Sequence, residues 1–111
     1  MIDVRLLRAN PAEVRAALAR RGDPELDQVV LRAQAAGDRL REITARRDQI
    51  RARVNELSRE VGRLRREGDV EAAEALQGES RELGSEESVL AAEHDSMAAD
   101  LRQLLLVIPN I

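Results

Sequence analysis

The sequence contains no cysteine, no lysine, and no phenylalanine, tyrosine or tryptophan. Without cysteine there is no disulfide framework and no thiolate metal site, and nothing points to an oxidising compartment. Without these aromatic rings a compact globular core would lack its usual bulky fillers, and none of them is there to stack on a splayed base. Long apolar runs are also missing. No stretch approaches the length of a membrane span, and the opening Met1-Ile2-Asp3-Val4-Arg5 lacks the apolar core of a signal peptide. These absences predict a cytoplasmic protein with no membrane partner. Proline occurs three times, at Pro11, Pro24 and Pro109, and each position reads as a helix boundary. At 111 residues the chain has room for one domain.

What is present is a pair of heptad stripes on either side of Gly68-Asp69. Before the turn, apolar residues fall at alternating steps of three and four: Leu26, Val29, Ala33, Ala36, Leu40, Ile43, Ile50, Val54, Leu57, Val61 and Leu64, with Arg47 the one polar seam residue. After the turn the rhythm resumes at Ala73, Leu76, Leu83, Leu90, Met97, Leu101, Leu104 and Ile108, with Ser80, Glu87 and His94 at the remaining stripe sites. A stripe repeating every 3.5 residues lets a helix bury one seam against a partner helix. Two such stripes joined by a short glycine turn make an antiparallel hairpin. The expected fold is therefore all-α: a long two-stranded antiparallel coiled-coil hairpin, a helical arm, with a short N-terminal helix packed at its base. An arm suits a large partner better than a small ligand.

The boundaries are legible in capping chemistry. Residues 1–22 read as a short extended lead followed by a helix, with Asn10 as N-cap, Pro11 in the first turn and Gly22 at the end. Asp23-Pro24 opens the first arm helix, residues 24–67, which would run roughly 65 Å. The tip turn is 68–69, the return helix 70–106, and 107–111 the exit. Antiparallel seam partners should have numbers summing to 137, pairing Leu57 with Ser80 and Ile50 with Glu87. On the flanks that register sets Arg53 against Glu86, Arg46 against Glu93 and Arg39 against Asp100. An Arg47–Glu87 pair would help fix the register. Val30 and Leu105 meet at the apolar base, where Leu6, Leu7, Val14 and Leu18 of the N-terminal segment are expected to pack.

Enzymatic chemistry has no foothold in these residues. There is no glycine-rich phosphate loop, no nucleophile–histidine–acid set and no metal-ligand spacing. The single histidine, His94, has no convergent ligands and reads as a tolerated seam or edge residue. The residues predict no catalytic, cofactor-binding or metal site. The remaining signal is arginine. From Asp38 to Glu67 there are ten Arg against six acids, whereas from Val70 to Leu105 nine acids face two Arg. Arg59, Arg63 and Arg66 follow the i, i+4, i+7 spacing of one helix face, with Arg65 beside them and Arg51 further down. Such a run can bind phosphates along a nucleic-acid backbone. It can equally be a solvated face served by Glu56, Glu60 and Glu67, and the all-arginine usage can equally reflect genome composition. A coiled-coil module that docks another protein's helix is the competing reading.

Three stretches resemble one family. Met1-Ile2-Asp3-Val4-Arg5-Leu6-Leu7-Arg8-Ala9-Asn10-Pro11, with Val14 and Arg20-Arg21-Gly22, is similar to the start of the N-terminal tRNA-binding domain of seryl-tRNA synthetase. Asn55-Glu56-Leu57-Ser58-Arg59-Glu60-Val61-Gly62, followed by Gly68, resembles that family's arm tip, and Leu104-Leu105-Leu106-Val107-Ile108-Pro109-Asn110-Ile111 its exit toward a catalytic domain. The chain departs from the family at Ala33-Gln34-Ala35-Ala36-Gly37, where members usually carry more charge. The resemblance implies the arm of a cytoplasmic, homodimeric class II serine–tRNA ligase. That arm would recognise the long variable arm and elbow of tRNA(Ser) through backbone and shape, with Arg51, Arg59, Arg63, Arg65 and Arg66 on phosphate and sugar. It further implies that ATP, Mg and the chemistry belong to a catalytic domain outside this chain, which would be an excised domain or a truncated homologue and no enzyme alone.

Overall fold

A computed structural model describes residues 2–20 and 24–109. It holds four helices, α1 (Val4–Ala9), α2 (Pro11–Ala19), α3 (Pro24–Arg66) and α4 (Val70–Val107), and no strand among the described residues. The fold is the all-α coiled-coil type that the stripes predict. The chain divides into two compact units, Met1–Glu42 with His94–Ile111, and Ile43–Glu93.

In the first unit α1 and α2 close an apolar cluster with the start of α3 and the end of α4. Ile2, Leu7, Val14, Leu18, Val30, Ala33, Leu105 and Ile108 are buried, and Leu6, Leu26, Val29, Leu101 and Leu104 pack against them. Each fully buried Leu, Ile or Val contributes about 1.5–3 kcal/mol of hydrophobic stabilisation. The expected docking of Leu6, Leu7, Val14 and Leu18 on Val30 and Leu105 is thus present. The expected extended lead is not, because residues 4–9 are helical. The cause is local capping. The Asp3 carboxylate accepts the Arg5 N–H at 2.8 Å, and Ile2 and Leu7 occupy the N′ and N4 positions of a hydrophobic staple within one buried cluster. Pro11 starts α2 as expected, although the Asn10 side chain makes no capping bond. Arg15 of α2 holds Asp27 of α3 in a two-point pair, 2.6 and 3.0 Å. The expected stop at Gly22 and cap at Asp23 lie outside the described residues.

In the second unit the stripes form the seam. Ile43, Ile50 and Leu90 are buried together with Val54 and Leu83 packed on them, and Leu57 and Ala73 are 1% exposed. Leu57 shares a groove with Ser80, its expected partner, and with Val61 and Gln77. The turn is fixed by hydrogen bonds rather than by packing. Asp69 N–H reaches the Leu64 carbonyl at 2.9 Å and Gly68 N–H the Arg65 carbonyl at 3.2 Å, a Schellman motif. Gly68 has φ of 82°, the left-handed region where a Cβ is unfavourable. Asp69 then caps α4 by accepting the Ala72 N–H on its carboxylate at 3.2 Å. Gly68→Ala should cost about 1–2 kcal/mol from the forced left-handed alanine. Chemical denaturation would show it as a lowered midpoint at unchanged slope; an unchanged midpoint would mean that the turn is not held this way.

The flanking ladder exists but is shifted by one heptad from the expected pairing. Arg53 holds Glu79 (2.8 and 3.2 Å) rather than Glu86, and Arg46 holds Glu86 (2.8 Å) rather than Glu93. Carboxylates recur every seven residues along that edge of α4, so two acids compete for each guanidinium. Arg47, the seam arginine, decides the direction. It takes Glu87 at 2.9 Å, and its neighbour Arg46 leans the same way to the adjacent Glu86. Arg39, expected opposite Asp100, bridges Glu42 of its own helix at 3.3 Å.

Candidate nucleic-acid interface

The arginines of α3 within the second unit sort by what holds them. Arg46, Arg47 and Arg53 are committed across the seam to Glu86, Glu87 and Glu79. The hydrogen bonds from Arg46 hold the Glu86 carboxyl below the usual glutamate range, and those to Glu79 raise the Arg53 guanidinium. Their charge is neutralised internally. Arg63 is bridged along its own helix to Glu67 at 3.3 Å, and Arg51 lies 3.6 Å from Asp48 while remaining 71% exposed. Arg59, Arg65 and Arg66 are exposed and make no ion pair among the described residues.

At 100° per residue, Arg51, Asn55, Arg59, Gly62 and Arg66 fall within about 80° of one another on the outer face of α3. They form a stripe roughly 22 Å long on a regular helix. Arg65 lies just to one side of it and Arg63 to the other. At and beyond the turn, Asp69, Glu71 and Glu74 make the beginning of α4 acidic. An anionic chain is repelled there and attracted along α3, so the field gives the stripe a sidedness. The five arginines singled out from sequence are therefore not equivalent. Arg59, Arg65 and Arg66 stand open, Arg51 is loosely engaged, and Arg63 must release Glu67 to reach a ligand. In the sequence Asn55 stands out only as part of a motif. Its place in the stripe follows from the i, i+4 step between Arg51 and Arg59.

Among the described residues no three His, Cys, Asp or Glu side chains could hold a metal ion, and no helix is long and apolar enough to cross a membrane. His94 sits 3.5 Å from Asp95, its neighbour in sequence.

The ladder has a pH signature. A carboxyl whose folded pKa is depressed stabilises the fold fully above its unfolded value, roughly pH 4.3 for Glu and 3.9 for Asp, and loses that contribution as pH falls through the folded value. Glu86 and Asp27 are both lowered, by hydrogen bonds from Arg46 and Arg15. The melting temperature should hold from pH 7 to about 5 and fall below about pH 4. In Arg46→Gln the fall should be shallower. An identical acid profile in that variant would remove the ladder as its source.

Comparison with known proteins gives a single answer. The family model described as the seryl-tRNA synthetase N-terminal domain matches residues 1–111. A serine–tRNA ligase from Gluconacetobacter diazotrophicus is 41% identical over 110 residues, which is 99% of this chain and 25% of that protein. Serine–tRNA ligases from Novosphingobium aromaticivorans and Haloquadratum walsbyi are 37% and 36% identical over 99% and 100% of this chain, and 25% and 24% of those proteins. The chain thus spans about a quarter of the length of the curated relatives it matches. No solved structure matches it.

Proposed function

The chain belongs to the seryl-tRNA synthetase N-terminal domain family, and from that premise we propose that it is a tRNA-binding element, gripping the backbone of tRNA(Ser) along the outer face of α3. The carrying observation is the stripe itself: Arg59 and Arg66, exposed and without an ion pair among the described residues, in line with the loosely held Arg51. Guanidinium forks suit phosphate oxygens bidentately. A chain without phenylalanine, tyrosine or tryptophan lacks the usual stacking platforms, so shape and backbone carry most of the recognition in this reading. The long variable arm and elbow of tRNA(Ser) are the features such a helix face would follow. In this reading the parent enzyme is a homodimeric class II ligase that joins serine to tRNA using ATP and Mg in another domain, and this chain alone supplies no catalytic group.

The test is a binding titration of the 111-residue chain against tRNA(Ser) and against a tRNA with a short variable arm, at several salt concentrations. Affinity should be higher for tRNA(Ser) and should fall linearly on a log–log plot against salt, by about 0.9 per phosphate engaged. Equal affinity for the two RNAs would defeat the variable-arm reading. Absence of salt-dependent binding would favour a protein-docking module.

A further inference from the structure

Gly84 lies inside α4 with open space where a side chain would stand, since nothing lies within 4 Å of a Cβ built there. A glycine in a helix interior costs about 1 kcal/mol relative to alanine. Gly84 is exposed, and the space beside it is open to solvent. That space is part of an open groove of about 280 Å³ in the second unit, lined by Ile50, Val54, Arg51 and Asn55 and by the Arg47–Glu87 pair. Ile50 is buried, 3% exposed, while Arg51 and Asn55 are exposed members of the α3 stripe. The Asn55 amide carries donors and an acceptor and makes no hydrogen bond among the described residues.

We propose that this groove receives one unstacked nucleobase of the RNA strand whose phosphates follow Arg51, Arg59 and Arg66. The inference rests on the tRNA-binding reading and adds to it a base contact that backbone recognition does not supply. Groove and base are complementary. A base turned out of its stack needs an apolar surface for its faces and a hydrogen-bonding partner for its edge. This groove has no aromatic ring to offer, so its apolar surface is aliphatic, and half-buried Val54 provides it beside Gly84. The Asn55 amide is the kind of group that pairs with a base edge, as asparagine does with the N6 and N7 edge of adenine. Arg51 lines the same groove, so a cation stands beside it for the phosphate of that nucleotide.

Filling the groove tests this. In Gly84→Leu the helix gains propensity, so helicity and melting temperature should hold or rise. Affinity for a tRNA(Ser) transcript should fall about tenfold, with the salt slope unchanged because no phosphate contact is lost. Arg51→Gln should by contrast lower the slope by about one. A scan of the transcript with single abasic nucleotides then identifies the base. One abasic position should weaken binding to the unmodified chain about tenfold and leave binding to Gly84→Leu unaffected, the non-additivity expected of groups in contact. Should Gly84→Leu fail to fold, Asn55→Ala enters the same cycle in its place. Wild-type affinity in the filled variant, or no abasic position with coupled loss, overturns the groove while leaving the phosphate stripe intact. Failure of the unmodified chain to bind the transcript at all overturns the tRNA reading, and the groove with it.

Discussion

Arg59→Glu/Arg66→Glu should abolish measurable tRNA binding while circular dichroism records the same helicity. Three phosphates held by Arg51, Arg59 and Arg66 would give a salt slope near −2.7, and roughly fortyfold weaker binding at 200 mM than at 50 mM salt. Reversing two of the three removes two contacts and places two carboxylates beside the strand. At 50 mM salt the affinity should fall at least about hundredfold. Stability should move by no more than about 0.5 kcal/mol, because both side chains are exposed and neither holds an ion pair among the described residues. Arg59→Lys/Arg66→Lys should recover most of the affinity, since the charges return without the planar fork. The pairing pattern makes this double variant more telling than one through Arg63, whose change would also release Glu67. Binding that survives the reversal would move the interface off this face of α3.

The features legible in the sequence are those set by period or by one residue's backbone. Seam residues such as Ile50, Leu57 and Leu90 could be read because burial of one face imposes a 3.5-residue rhythm over many turns. The turn could be read because few residues besides glycine accept the conformation of Gly68, with Asp69 positioned to cap α4. Helix α1 could not. Six residues are too few to display a period, and its cause is a single carboxylate, Asp3, with a staple between Ile2 and Leu7. Nor could the ladder partners be chosen, because acids a heptad apart on α4 are equivalent to a periodic argument and differ only once Arg47 has taken Glu87. The candidate site was legible in the same partial way. The cluster Arg59, Arg63, Arg65 and Arg66 is plain in the sequence, but which of them stay open depends on every other side chain's choice of partner. The groove at Gly84 is invisible from sequence, because its floor is on one helix and its opening on the other.

The largest stability effect should come from Leu18→Ala in the first unit. Leu18 is fully buried, in one cluster with Leu7, Val14, Val30 and Leu105. Helix α2 has nine residues, short of the twelve to fifteen or so that an isolated helix needs even with good propensity. Its order therefore comes from tertiary burial, and Val14 and Leu18, four residues apart, are its two buried side chains. Truncating Leu18 removes one of two anchors and leaves a cavity, a loss of about 3–5 kcal/mol. The melting temperature should fall by roughly 10 °C or more. Leu31→Ala, on a side chain 37% exposed, should change it little. The Arg15–Asp27 pair cannot compensate, since two half-exposed side chains hold it and such pairs contribute little. Below its transition Leu18→Ala should bind tRNA with unchanged affinity and salt slope, because Arg51, Arg59 and Arg66 all belong to the other unit. A melting temperature equal to that of the unmodified chain would mean that α2 is not docked through Leu18 in solution. Intact stability with weakened binding would instead place the first unit in the RNA interface and enlarge the surface assigned to α3.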